Sequence, residues 1–237
     1  MKHITSPQNN SIKQVKHARR GKDVWGNALL IEGETLVEEA RAYNLDALAL
    51  FVTEETHSDY ASLSKIFDCP KYVIPAHLMA QISGMVVSPG IFLVAKAPQP
   101  IPLAEGEWTT LLYLEEIQDP GNLGTLLRSA RAFGVEGVLL GPGSCDPYNE
   151  KVLRAAMGAA FELPLWQNIR PQESKTLALE KSMRLVVADL EGVSAANYFK
   201  ANADNALILV IGNEGRGISA EIKALADDVV TIPMAAD

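Results

Sequence analysis

The sequence predicts an α/β protein in two parts: a small α/β domain, then a larger one built on a mostly parallel sheet with helices on both faces. Three observations lead there. Strand-like apolar runs alternate with helical ones along the chain. The runs in the second part are continuously apolar, as strands buried on both faces are. Between the two parts, Pro98, Pro100 and Pro102 stiffen a stretch into an extended form.

In the first part, 28–31, 48–52, 72–74 and 91–95 read as strands and 35–42 as a helix, making 1–97 a small domain and 98–108 a linker. In 109–237, strands are expected at 110–114, 135–140, 184–188, 206–211 and 229–232, with helices between them. With 237 residues, 48% hydrophobic and 21% charged, the chain can bury cores of this size. No basic-then-apolar leader opens it, and no apolar run approaches the roughly 18 residues of a membrane span, so a cytoplasmic protein without membrane contact is expected. Cys69 and Cys145 have no CxxC partner, and His3, His17, His57 and His77 lack ligand spacing; no disulfide and no metal are expected.

The net charge of −8 argues against a generally basic coat for nucleic acid, but the charge is unevenly placed. Lys2, Lys13, Lys16, Arg19, Arg20 and Lys22 all precede the first acidic residue, Asp23. Lys13, Lys16, Arg19 and Arg20 are therefore candidate phosphate ligands, with a solvated basic helix face as the alternative.

Ligands of open parallel sheets gather beyond the carboxyl ends of the strands, which directs attention to the turns there. The first is Glu115-Glu116-Ile117-Gln118-Asp119-Pro120-Gly121-Asn122-Leu123-Gly124, running into a helix with Arg128. Asp119 suits an N-cap, Pro120 a first turn and Gly134 a C-terminal stop. Leu123, Leu127 and Ala130 would face the sheet, so Arg128 points away from the core, as a ligand-binding cation or a surface ion-pair partner. The second turn is Ile211-Gly212-Asn213-Glu214-Gly215-Arg216-Gly217-Ile218-Ser219, whose glycines allow close backbone approach. Its G-x-x-G-x-G order is not the dinucleotide fingerprint, and no Walker-type Gly-Lys-Ser/Thr occurs. Between them, Val152, Ala155, Ala156 and Ala159 give a helix a small-residue face, for sheet packing or for close approach of a symmetric dimer, while Lys151 and Arg154 are phosphate ligands or solvated charges.

Taken in order, these segments resemble the SpoU, or TrmH-like, branch of the SPOUT methyltransferases. Asp119-Pro120-Gly121-Asn122-Leu123-Gly124 with Arg128 is similar to the family's first motif, Leu209-Val210-Ile211-Gly212-Asn213-Glu214-Gly215 to its second, and Val230-Thr231-Ile232-Pro233-Met234 to the start of its third. The resemblance implies a parallel sheet tied in a trefoil knot, a rare exception to unknotted topology, holding S-adenosylmethionine without a metal. It further implies a homodimer, a small RNA-binding domain in front, and methyl transfer to a ribose 2′-hydroxyl of RNA, ribosomal RNA being favoured over transfer RNA. Ala188, Asp189, Gly212 and Ile232 would bind the methyl donor, and Asn122, Arg128 and Glu214 would carry the catalytic weight. The family continues past Ile-Pro-Met into a Ser-Leu-Asn-Val-Ser-like stretch and a final helix; this sequence ends at Asp237, so 109–237 is expected to lack the end of the domain. A non-catalytic RNA-binding relative of the same fold is the second expectation.

A sulfonium methyl is already activated, so the enzyme has mainly to align the ribose oxygen behind it and ease removal of its proton. The family has cast the residue matching Arg128 as proton acceptor. A guanidinium almost never gives up its proton, and a clamp on an RNA phosphate that also stabilises developing alkoxide charge suits Arg128 better.

Overall fold

The computed structural model describes residues 1–22 and 25–233. Asp23, Met234 of the third motif and residues 235–237 lie outside the described residues. The chain forms two units, one of 1–98 with 148–162, the other of 99–147 with 163–237.

In the first unit, β1 (Lys2–His3), α1 (Asn10–Arg19), β2 (Ala28–Glu32), α2 (Glu34–Ala42), β3 (Ala47–Thr53), α3 (Ala61–Ile66), β4 (Lys71–Ile74), α4 (Ala76–Ile82) and β5 (Ile91–Lys96) follow one another. The sheet has the order β1-β4-β3-β5-β2 and is mixed, with β5 antiparallel to both neighbours. Asn9 caps α1 by accepting the Ser11 N–H at 2.9 Å. Ile12 and Val15, three apart on one face of α1, are buried in a core with Phe51, Leu78 and Phe92.

The second unit opens with a 3₁₀ turn at Leu103–Glu105, then β6 (Thr110–Leu114), α5 (Pro120–Ala132) and β7 (Gly137–Leu140). The chain next forms α6 (Glu150–Ala156) and α7 (Ala159–Glu162), which belong to the first unit. The single break expected in the proline stretch is thus not the only one. Val152, Leu153 and Ala156 of α6 are buried and the helix packs on β2, so its small-residue face serves helix-on-sheet packing, with Ala155 half-buried. The expected helix is also broken: Met157 and Gly158 both take left-handed backbone, at φ 48° and 81°.

Back in the second unit come β8 (Leu165–Gln167), α8 (Pro171–Glu180), β9 (Arg184–Ser194), α9 (Ala195–Ala201), β10 (Leu207–Ile211), α10 (Ala220–Leu225) and β11 (Asp228–Thr231). The strands pair in the order β11-β9-β10-β6-β7-β8, every pairing parallel. Leu111, Tyr113, Ile208 and Val210 share one face with Leu177 and Ala178 of α8 and Ile222 of α10. On the opposite face Val186, Leu207 and Val230 pack with Tyr198 of α9. This is the expected parallel sheet with helices on both faces. The turn from β6 leads outward to β7 and that from β10 leads the other way to β11, so the crevice between the β6 and β10 ends is the switch point of the topology.

Strand β9 runs past its expected end. Val187 pairs with Val229 and Val193 with Val230, so residues 188–192 stand opposite none of β11. The excursion is clasped back by the Thr231 hydroxyl, which donates to the Leu190 carbonyl at 3.0 Å. At Gly192 a Cβ would lie 2.7 Å from the Val229 carbonyl oxygen. Gly192→Ala is therefore expected to destabilise the protein by about 1–3 kcal/mol in chemical denaturation, whereas Gly215→Ala, with its nearest foreign atom at 3.7 Å, should change it little.

Candidate active site

Because all six strands of the second sheet are parallel, their carboxyl ends lie along one edge, and the turns that carry the sequence motifs meet there. Strand β10 pairs with β6 through five residues, ending with Ile211 beside Leu114. The Glu115 N–H extends the ladder to the Ile211 carbonyl at 2.9 Å.

On the β6 side, Asp119 caps α5 by accepting the Asn122 N–H at 2.9 Å, Pro120 occupies the first turn, and Gly134 follows the helix at φ 73°. On the β10 side, Asn213 and Gly217 exchange two backbone hydrogen bonds of 3.0 and 2.9 Å. The Asn213 side chain accepts the N–H groups of Gly215 and Arg216 and donates to the Glu116 carbonyl at 2.8 Å. Gly212 is forced by this fold: a Cβ there would lie 2.5 Å from the Gly217 backbone.

The two turns are joined by side chains. The Asn122 amide donates to a Glu214 carboxylate oxygen at 3.1 Å, across 92 residues of sequence. Burial opposes ionisation of Glu214, but backbone N–H groups at Glu214 itself, Asp119 and Gln118, together with the Asn122 amide, outweigh it and hold the carboxyl below its ordinary value. Arg216 pairs with Glu116 at 2.7 Å, and Glu116 sits at φ 51°. Below them, buried Glu115 accepts both the N–H of Ser219, at 2.9 Å, and its hydroxyl. Sequence reasoning missed Glu115 and Asn213 as organisers of the site. The signal for Asn213 is a side chain able to cap its own turn ahead of glycines.

Two of the three expected catalytic residues, Asn122 and Glu214, are thus in contact. Arg128 is exposed on α5, six positions and so about 9 Å along the axis from Asn122, and makes no ion pair among the described residues. The expected donor-binding residues fall on three neighbouring strands: Ala188 and Asp189 within β9, where it departs from β11, Gly212 just after β10, and Ile232 just after β11. Ala188 packs half-buried among Val186, Tyr198 and Val230. Lys223 bonds Asp189 and is the main reason its carboxyl lies below the ordinary range. Leu190 and Ile232 are 78% and 75% exposed, an apolar surface beside the excursion of β9.

The basic residues of α1 divide. Lys13 and Arg20 are exposed, while the Lys16 ammonium donates to Gln81 at 2.6 Å. Arg19, expected among the phosphate ligands, is turned inward: it pairs with Glu150 at 2.9 Å, lies over the Phe92 ring and keeps 22% of its side chain exposed. Nη1 of its guanidinium is thus engaged, while Nε and Nη2 are buried without a hydrogen-bond partner among the described residues. Among the described residues no cluster of His, Cys, Asp and Glu could hold a metal, and no helix is long and apolar enough to cross a membrane.

Fold and site together define a parallel α/β protein whose polar groups converge at a topological switch point. Residues 109–237 match the SpoU rRNA Methylase family, and the chain belongs to it. It is 30% identical, over 99% of its own length and 91% of the relative's, to the 23S rRNA (guanosine(2553)-2′-O)-methyltransferase RlmP of Bacillus subtilis. The fold is shared with an AdoMet-bound rRNA methyltransferase from Sinorhizobium meliloti, at TM-score 0.82 and 23% identity, covering 99% of this chain and 90% of that one. It is shared equally with the SpoU methyltransferase AviRb of Streptomyces viridochromogenes in complex with AdoMet, at TM-score 0.82 and 23% identity over 97% and 90%.

The depressed acidity of Glu214 has a sign. Its contribution to stability is complete above the ordinary carboxylate range and is lost as pH falls through the folded value. Thermal melts of the protein and of Glu214→Gln are expected to differ by a constant amount above about pH 5, and to converge below that as the carboxyl takes up its proton.

Proposed function

We propose that this protein is an S-adenosylmethionine-dependent RNA methyltransferase acting on a ribose 2′-hydroxyl in the cytoplasm, on ribosomal rather than transfer RNA. The observation that carries the reading is the Asn122–Glu214 contact at the switch point of a family-matching parallel sheet. The preference for ribosomal RNA is supported by the Bacillus relative, whose name gives it a 23S rRNA substrate.

The strand ends of β9, β10 and β11 fit the methyl donor. Exposed Leu190 and Ile232 offer apolar surface to a nucleoside, and the backbone at Gly212 is bare of side chain. Ala188, Asp189, Gly212 and Ile232 would hold it, in a fold closed by a trefoil knot. When bound, it supplies a methyl group already activated on a sulfonium. Asn122, fixed by Glu214, orients the ribose at the mouth of the site. Arg128, with no internal partner, clamps an RNA phosphate and stabilises negative charge as the 2′-oxygen loses its proton. Glu214 serves better as an anchor than as the base, because its hydrogen bonds favour the ionised form.

The first unit binds RNA through exposed Lys13 and Arg20 on α1, with Lys16 at their side. The active assembly is a homodimer. An apolar groove of about 640 Å³ between α5 and α9, lined by Leu112, Leu126, Phe133, Phe199 and Leu209, supports a second copy seated on this unit.

The deciding experiment is incubation with isotopically labelled S-adenosylmethionine and unmodified ribosomal or transfer RNA, followed by digestion and mass spectrometry. A labelled 2′-O-methyl nucleoside from ribosomal RNA is expected; RNA binding without any label would favour a non-catalytic relative. In the same assay Arg128→Ala is expected to lower transfer by orders of magnitude while donor affinity, read by calorimetry, stays nearly unchanged. An unaltered rate would remove Arg128 from the mechanism. Lys13→Ala combined with Arg20→Ala should weaken RNA binding and flatten its logarithmic salt dependence by about 0.7 per lost phosphate contact.

A further inference from the structure

Beneath the residues that face the substrate lies a group no motif singles out. Glu115 follows the last residue of β6 and is 8% exposed, an unusual place for a carboxylate. Both of its oxygens are used by one residue on the far side of the switch point: Oε2 accepts the Ser219 N–H at 2.9 Å and Oε1 accepts the Ser219 hydroxyl. Ser219 is the N-cap of α10, its Oγ accepting the Ile222 N–H at 3.3 Å. One carboxylate therefore fixes the point where the glycine-rich turn ends and the next helix begins. The start of that turn is fixed by the β6–β10 ladder and by the Asn213 bond to the Glu116 carbonyl. Between the two anchors the chain closes on itself through Asn213 and Gly217, and Glu214 stands at its tip with its carboxylate on Asn122.

We propose that Glu115 is a positioning residue for methyl transfer, its two-point grip on Ser219 holding the 212–219 turn so that Glu214 meets Asn122. It touches neither RNA nor donor. The proposal rests on the methyltransferase reading above and adds to it a residue that acts only through others. A brace of this kind concerns geometry at the reacting centre, where a displacement of an ångström is felt in turnover more than in binding.

Glu115→Leu removes both acceptors at similar volume and leaves the Ser219 N–H without its partner. Glu115→Gln keeps a carbonyl for the N–H and an amide that the serine oxygen can accept, so it retains the grip without the charge. Ser219→Ala, at an exposed position, removes one of the two bonds and guards against a Leu variant that fails to fold. The Leu variant is expected to lose about a hundredfold in kcat, with KM for RNA and donor held within about twofold. Gln should recover most of that loss, and Ser219→Ala should fall between. Independently of activity, carbon NMR of the Glu214 carboxyl should show its pKa rising toward the ordinary value in Glu115→Leu, as the contact with Asn122 loosens. Unchanged kcat in Glu115→Leu, a Gln variant as impaired as Leu, or an unmoved Glu214 titration would overturn the proposal. If the unsubstituted protein transfers no label, the methyltransferase reading fails, and the brace is then decided by the Glu214 titration alone.

Discussion

The pairing of β10 with β6 is the constraint on which the site depends. Leu207 to Ile211 lie against Thr110 to Leu114 residue for residue, and Leu111, Tyr113, Ile208 and Val210 are all fully buried. Burying an aliphatic side chain of this size is worth about 1.5–3 kcal/mol. A slip of one residue would turn the inner set of side chains to the other face, so the register is strongly specified. Once it is set, the turns after Leu114 and Ile211 must start side by side. Residues 92 apart in sequence then need only short side chains to meet. The polar contacts trim an arrangement that apolar burial has already made.

What those contacts add is a fixed charge pattern. Glu214 accepts N–H groups at the entrance to α5, where the helix macrodipole also favours an anion. Glu116 and Arg216 neutralise each other across the mouth, and Lys223 neutralises Asp189. Asn122, polar but uncharged, is exposed beside Glu214 and bonded to it. Arg128 is the cation on α5 left without an ion pair among the described residues, on a stripe that the buried Leu123, Leu127 and Ala130 turn outward. A polyanion approaching this edge would find that cation unclaimed, while the Glu214 carboxylate is already occupied by hydrogen bonds.

The legible parts of the fold were those written in burial pattern. Strands β6 and β10 and the 185–188 part of β9 announce themselves as apolar runs because both faces are covered, and α5 by a cap, a proline and an apolar stripe in the right order. The short edge strands β1 and β8 were not legible: two or three residues are too few for a period to show. The break at Met157 was hidden because methionine is a good helix former, and that Gly158 leaves no room for a Cβ beside Glu39 shows only in the fold. In the site, motif order identified Asn122 and Glu214, yet nothing local in Glu115 distinguishes a buried brace from any acidic residue at a strand end. Its meaning lies in Ser219, a partner only the register brings near.

Arg19 makes the same point in the opposite direction. Composition places it in a basic segment, and although it stands four residues after Val15 and seven after Ile12, on the side of α1 that they bury, spacing cannot name the partner that holds it there. The structure supplies Glu150 as its partner, from a segment that the chain sends to the first unit between two strands of the second sheet. Burial raises the Glu150 carboxyl and nearby Glu32 adds to the effect, while Arg19 opposes both. Pulling Arg19 out to serve a phosphate would leave two carboxylates facing each other in a poorly solvated place, a cost that a single phosphate contact in water does not offset. The crossover from β7 to β8 is therefore held in the first unit by a cation that looked like part of an RNA-binding surface, and the exposed Lys13 and Arg20 are what α1 has left to offer a polyanion.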